Sequence, residues 1–141
     1  MINVPSKIAS KKPQKDRHQT GIAAEFYVLS QLIRNGHDAY ITMGNKKSVD
    51  IHVIVGKKAY SIDVKAVRGY SSWPVSNIKK DEQHFIAYVA YKNKFDDLSS
   101  IPDVYLVPSK KVTSFSTKAG ERSNKSGIEN YKDNWSLSSE C

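Results

Sequence analysis

The chain has 141 residues, enough for one ordinary domain built around one core. Its 22 Lys and Arg against 14 Asp and Glu leave a formal net charge of +8, which points to an anionic partner, nucleic acid being the commonest for a basic domain. A single cysteine, Cys141, excludes an intrachain disulfide framework and a thiolate zinc site. No run reaches the roughly 18–20 apolar residues of a membrane span, and MINVPSKIASKKPQKDR lacks the apolar stretch of a secretory signal. A cytoplasmic protein with no membrane partner is the expectation.

Residues 1–18 carry Lys7, Lys11, Lys12, Lys15 and Arg17 with little periodicity, and read as a flexible basic arm ahead of a single domain over 19–141. In TGIAAEFYVLSQLIRNG, Thr20 is suited to cap a helix and Asn35-Gly36 to end it. Ile22, Phe26, Leu29 and Ile33 recur at helical spacing and predict the apolar face. Glu25 falls near Leu29 and Leu32, on the side turned toward the core. A carboxylate there is costly unless paired or metal-bound.

Three strands are expected next: 38–43, 49–55 and 59–67. The last two alternate with period two and are joined through Gly56-Lys57-Lys58, a hairpin connection. Residues 68–83 read as a loop with one prominent aromatic, Trp73. HFIAYVAY (84–91) and DVYLVP (103–108) are further strands, and Pro108-Ser109 starts a short helix. The tail is polar, with Tyr131 and Trp135 as docking points. The order of elements is α/β with one mixed sheet.

Asp50 begins the second strand, and Asp63 and Lys65 share one face of the third. Neighbouring strands lie about 4.8 Å apart, so carboxylates at these positions can converge. Two such carboxylates suit Mg²⁺, which otherwise keeps water and leaves positions open for a phosphate. The backbone carbonyl of Val64 is a further ligand candidate. An ammonium at Lys65 can stabilise charge developing on a phosphoryl group and orient the attacking water. Glu25, reaching in from the helix, can bind the metal directly or through water.

On GIAAEFYVLSQLIRNG, SVDIHVIV and YSIDVKA, about residues 20–67, the chain resembles the PD-(D/E)XK nuclease superfamily. Small single-domain members of that group include homing endonucleases and Holliday-junction resolvases. The resemblance implies a restriction-endonuclease-like αβββαβ core, with one central mixed sheet flanked by helices. It also implies catalysis by Glu25, Asp50, Asp63 and Lys65, with Mg²⁺, or Mn²⁺ in its place, as cofactor. Val49 stands where the family's name has proline, and the family's second core helix has no clear counterpart in 68–83, which contain Gly69 and Pro74.

Lys46, Lys47, Arg68, Lys79, Lys80, Lys110 and Lys111 are candidates for phosphate contacts, and Trp73 for stacking on a base. His52 and His84 are weaker candidates for lining the site. The expected function is a metal-dependent endonuclease hydrolysing phosphodiester bonds in double-stranded or branched DNA. Cutting both strands with one site per chain implies a homodimer. The alternative is the same fold acting as a non-catalytic nucleic-acid-binding module or an interaction protein.

Overall fold

The computed structural model describes residues 14–42, 50–70, 73, 78–114 and 128–137. Helix α1 (Gln14–Arg34) is followed by β1 (Asp38–Ile41), β2 (Ile51–Val55), β3 (Lys58–Val67), β4 (His84–Ala90) and β5 (Asp103–Pro108). Short 3₁₀ turns occupy Ser109–Ser114 and Ile128–Tyr131. The strands form one five-stranded sheet in the order β1-β2-β3-β4-β5, antiparallel except where β3 pairs with β4 in parallel. The expected α/β fold with one mixed sheet is what the chain adopts.

Local chemistry explains most of the boundaries. The α1 helix ends in a Schellman motif: Gly36 N–H donates to the Ile33 carbonyl and His37 N–H to that of Leu32, with Gly36 at φ +92. Between β2 and β3, Val55 pairs with Lys58, so Gly56 and Lys57 form a two-residue turn with Gly56 at φ +62. The start of α1 departs from expectation. The helix begins at Gln14, which draws 14–18 out of the expected arm; residues 1–13 lie outside the described residues. Thr20 is interior to the helix, and its hydroxyl donates to the Asp16 carbonyl at 2.8 Å.

The buried face of α1 also differs. Ala24, Val28 and Leu32 are fully buried, while Ile22, Phe26 and Ile33 are exposed; of the expected face only Leu29 packs against the core. Ala24 is fully buried in the inner core, where a larger side chain would need added space.

Each face of the sheet has its own core. On the inner face, α1 covers Ile51, Val53, Ile62, Phe85, Ala87 and Val89. On the outer face, Trp73, Val112 and Ile128 cover Ile86, Tyr88, Tyr105 and Val107. The crossover helix that the resemblance implies between β3 and β4 is absent among the described residues. Trp73 anchors that connection instead, donating from Nε1 to the Val89 carbonyl at 3.1 Å and packing on Tyr88 and Tyr105 with centroids 5.0 and 5.8 Å away.

A candidate carboxylate site at the open edge of β3

The β3 strand is longer than its neighbour. Its pairing with β2 runs from Lys58 to Ile62, whereas pairing with β4 continues from Ser61 to Val67. Among the described residues, the β2 side of β3 beyond Ile62 is therefore an open edge, a notch between strand and helix. Asp50, the residue just before β2, fills it. The Asp50 N–H donates to the Ile62 carbonyl at 3.2 Å, and the Asp50 carbonyl accepts from both N–H and Oγ1 of Thr42, each at 2.9 Å. With its backbone held on two sides, Asp50 places Oδ2 2.7 Å from the Val64 N–H. The carboxylate thus acts as the missing strand partner for an edge amide.

Asp63 and Lys65 lie on the outer face of β3, in register with Ile86 and Tyr88. Lys65 Nζ is 3.6 Å from Asp63 Oδ2, and both side chains are partly exposed. Glu25 enters from α1. Burial first, then the charge of Asp50, a hydrogen bond with Asp50 and the charge of Asp63 push its carboxyl up to about 7. Burial also raises Asp50, partly opposed by the Val64 N–H; Asp63 raises it further, and its hydrogen bond with Glu25 and the charge of Lys65 pull it down. The notch therefore gathers Glu25, Asp50, Asp63 and Lys65, with Val64 between them.

Burial and neighbouring negative charge raise the proton affinity of Glu25 and Asp50, a cost that a divalent cation would relieve. Among the described residues no three His, Cys, Asp or Glu side chains stand close enough to cage an ion by themselves. Magnesium does not require such a cage, since it is commonly held by one or two carboxylates and completes its shell with water and phosphate oxygens. Asp50 and Asp63, with the Val64 carbonyl, are the oxygens on which such a site would draw.

Other expected contacts divide. Lys79, Lys80, Lys110 and Lys111 lie at the surface, with Lys110 Nζ 3.4 Å from Glu82. Lys46 and Lys47 lie outside the described residues. Trp73 is 2% exposed and cannot stack on a base, because it is committed to the outer core. Arg68 is also committed: Nε donates to Thr20 Oγ1 at 2.6 Å, and its guanidinium lies 3.9 Å from the Phe95 ring centroid.

Two residues near the site carry more than their sequence signal suggested. Tyr88 is fully buried beside Lys65 on the neighbouring strand, and burial followed by the Asp63 charge raises its phenol. Only the parallel register sets it beside Lys65. His84 is buried, with Nδ1 2.6 Å from Ser61 Oγ, and burial lowers its pKa despite the Asp63 charge. His52 pairs with Tyr40 and Ser61 on the outer face.

These elements define an α/β fold whose mixed sheet carries carboxylates and a lysine at an interrupted strand edge. Among solved structures, that of a bacterial homing endonuclease, I-Ssp6803I, is similar, with a TM-score of 0.58 at 12% sequence identity. The likeness covers 84% of this chain and 89% of that one. No family profile and no curated protein sequence matches the chain.

Proposed function

We propose that this chain is a metal-dependent endonuclease of the PD-(D/E)XK kind, hydrolysing phosphodiester bonds in DNA. The observation that carries the reading is the meeting of Glu25, Asp50, Asp63 and Lys65 at the open edge of β3, from three elements separated in sequence. The similarity of the fold to that of a homing endonuclease supports it.

Asp50, Asp63 and the Val64 carbonyl would hold Mg²⁺, or Mn²⁺ in its place, with Glu25 completing the site directly or through water. The bound cation supplies Lewis-acid stabilisation of charge on the phosphoryl group. Lys65, held by Asp63, donates to a phosphoryl oxygen and orients the attacking water. The Val64 N–H fixes the Asp50 carboxylate, so that it does not swing out of the notch between turnovers. One chain offers one such site, and a cut through both strands would use a second copy.

The test is cleavage of plasmid, branched and single-stranded DNA in Mg²⁺, repeated with Asp63→Ala and Lys65→Ala. Activity present in the parent and absent in both variants is the expected result. Activity surviving both would place the chemistry elsewhere. That no three acidic or histidine side chains among the described residues cage an ion gives one specific reason for a second reading, a nucleic-acid-binding module on the same fold without turnover. That module would bind DNA equally well with and without Mg²⁺ and cut none.

A further inference from the structure

Arg68 carries a charge that no described carboxylate neutralises. Its Nε donates to Thr20 Oγ1 at 2.6 Å, and its guanidinium carbon lies 3.9 Å from the Phe95 ring centroid. Thr20 is itself held, being 4% exposed and bonded to the Asp16 carbonyl. These contacts fix the guanidinium yet use one of its N–H groups, leaving both Nη groups as donors. Neither Arg68 nor Arg17 has a salt bridge among the described residues.

Both arginines line a pocket of about 500 Å³ between α1 and the end of β3, with Asp16, Thr20, Ala66 and Asn93. The pocket continues the notch. Arg17, Gly21 and Glu25 follow one another at i, i+4 spacing along one side of α1. At Gly21 an added Cβ would meet nothing within 4 Å, so open space separates the arginine from the glutamate. Asp16, the one carboxylate of the pocket, stands on the other flank of the helix, in line with Thr20 and Tyr27. Tyr27 is near enough to Tyr91, just past β4, for its charge to act there, so this flank faces away from the open edge.

The strand supplies a further donor. Ser61 N–H donates to the Gln83 carbonyl and the Val67 carbonyl accepts from Tyr91, so odd-numbered residues of β3 turn their backbone groups to β4. Even-numbered ones turn to the other side, where Ile62 accepts from Asp50 N–H and Val64 donates to the Asp50 carboxylate. By alternation the Ala66 N–H points to that same edge, past the end of the β2 pairing.

We propose that this pocket is a subsite for a backbone phosphate of the DNA strand being cut, held by the Arg68 Nη groups, Arg17 and the Ala66 N–H. This rests on the endonuclease reading and adds the path by which the strand leaves the notch. From Val64 to Ala66 the strand advances about 7 Å at roughly 3.3 Å per residue, about the separation of neighbouring phosphates along one strand. A guanidinium already immobilised by Thr20 and Phe95 loses little freedom on binding phosphate. Every nucleotide presents the same phosphate, so the subsite positions the strand and reads no base.

The test is fluorescence anisotropy of a labelled duplex DNA in chelator over a range of salt, so that binding is read without cleavage. The variants are Arg17→Ala, Arg68→Met and Gly21→Leu, with Arg34→Ala at the far end of α1 as the control for loss of charge alone. Arg17→Ala and Arg68→Met should each bind at least about fivefold more weakly, with the salt slope reduced by about 0.9 for the phosphate no longer neutralised. Gly21→Leu changes no charge and favours the helix, and should weaken binding by filling the open space. Arg34→Ala should bind like the parent. If circular dichroism shows Arg68→Met unfolded, Arg17→Ala and Gly21→Leu decide. Parent-like affinity and slope in those two, or an equal loss in Arg34→Ala, overturns the proposal. Inorganic phosphate that raises the melting temperature of the parent and not of Arg17→Ala, with DNA affinity unchanged, makes this a site for the free anion and overturns it too. Parent cleavage in Mg²⁺ with unchanged KM in the arginine variants sinks the subsite and leaves the endonuclease reading standing. Arginine-dependent DNA binding with no cleavage by the parent sinks the endonuclease reading and keeps the phosphate site.

Discussion

The Val64 amide donates to the Asp50 carboxylate across 2.7 Å, although the two residues are 14 positions apart and belong to no shared rung of the sheet. Strand pairing between β2 and β3 has stopped by this point, so an acidic side chain stands in for a backbone acceptor. The contact binds the architecture of the notch to the residue proposed to hold metal.

Replacing Asp50 separates these two roles. Asp50→Asn keeps an acceptor for the Val64 N–H and should unfold within about 1 kcal/mol of the parent, while Asp50→Ala should lose about 1–2 kcal/mol. Both should lower Mg²⁺-dependent cleavage by at least about a hundredfold, since magnesium favours charged carboxylate oxygens. Urea titration and a plasmid-nicking assay read the two effects. Nicking by Asp50→Ala at the parental rate would remove Asp50 from the site.

The raised carboxyl of Glu25 makes stability fall as pH rises. Its ordinary value of 4.5 becomes about 7 in the folded protein, so folding favours the protonated form. Below pH 4.5 the group costs nothing; from there to about 7 the folded state loses stability, and the loss then levels off. The full shift corresponds to about 3 kcal/mol, which solvent screening at a half-buried group brings to about 1–2 kcal/mol. Metal-free protein should therefore melt lower at pH 8 than at pH 5. Glu25→Gln should flatten this dependence, and Mg²⁺ should raise the melting temperature more at pH 8. A pH-independent difference between parent and Glu25→Gln would contradict the assignment.

Lys65→Met should reduce kcat by at least about a hundredfold with a small change in KM, because the ammonium is assigned to charge that develops during reaction. Its partner Asp63 is only partly buried and 3.6 Å away, so the change in folding stability should stay below about 1 kcal/mol. A pure KM effect in steady-state kinetics would make Lys65 a substrate-binding group instead.

Trp73 tests the corrected view of the connection between β3 and β4. Trp73→Ala should destabilise the protein by about 3–5 kcal/mol through the cavity it leaves among Tyr88, Tyr105 and Ile86. Trp73→Phe, which loses mainly the bond to the Val89 carbonyl, should cost about 1–2 kcal/mol and leave DNA affinity unchanged. A large loss of affinity in folded Trp73→Phe would restore the base-stacking role.

The strands are legible because alternation is a local property. Tyr60, Ile62 and Val64 against Ser61, Asp63 and Lys65 declare two faces without reference to anything distant, and the Gly56-Lys57 turn fixes the hairpin register. The gathering of the four candidate residues follows from that register and from the position of Glu25 on its helix. The inner side of α1 is harder to read. Ile22, Phe26 and Ile33 are more apolar than Thr20 and Ala24, yet the smaller pair is buried and the larger three are exposed. The roles of Arg68 and Trp73 are hidden for a related reason. Their partners, Thr20 with Phe95 and Tyr88 with Tyr105, are remote in the chain, and no local pattern announces them.

The single parallel pairing, between β3 and β4, has a consequence for how the chain assembles. Every proposed chemical group, from Glu25 to Lys65, precedes that seam, while β4, β5 and the two described 3₁₀ turns follow it. The two halves meet along that strand pairing, through the inner core that α1 shares with β4 and β5, and at the hydrogen bond from His37 Nε2 to the Trp135 carbonyl. A chain severed in the connection should re-form its function by fragment complementation, with the amino-terminal piece supplying the reactive side chains and the carboxy-terminal piece the support that holds β3 in place.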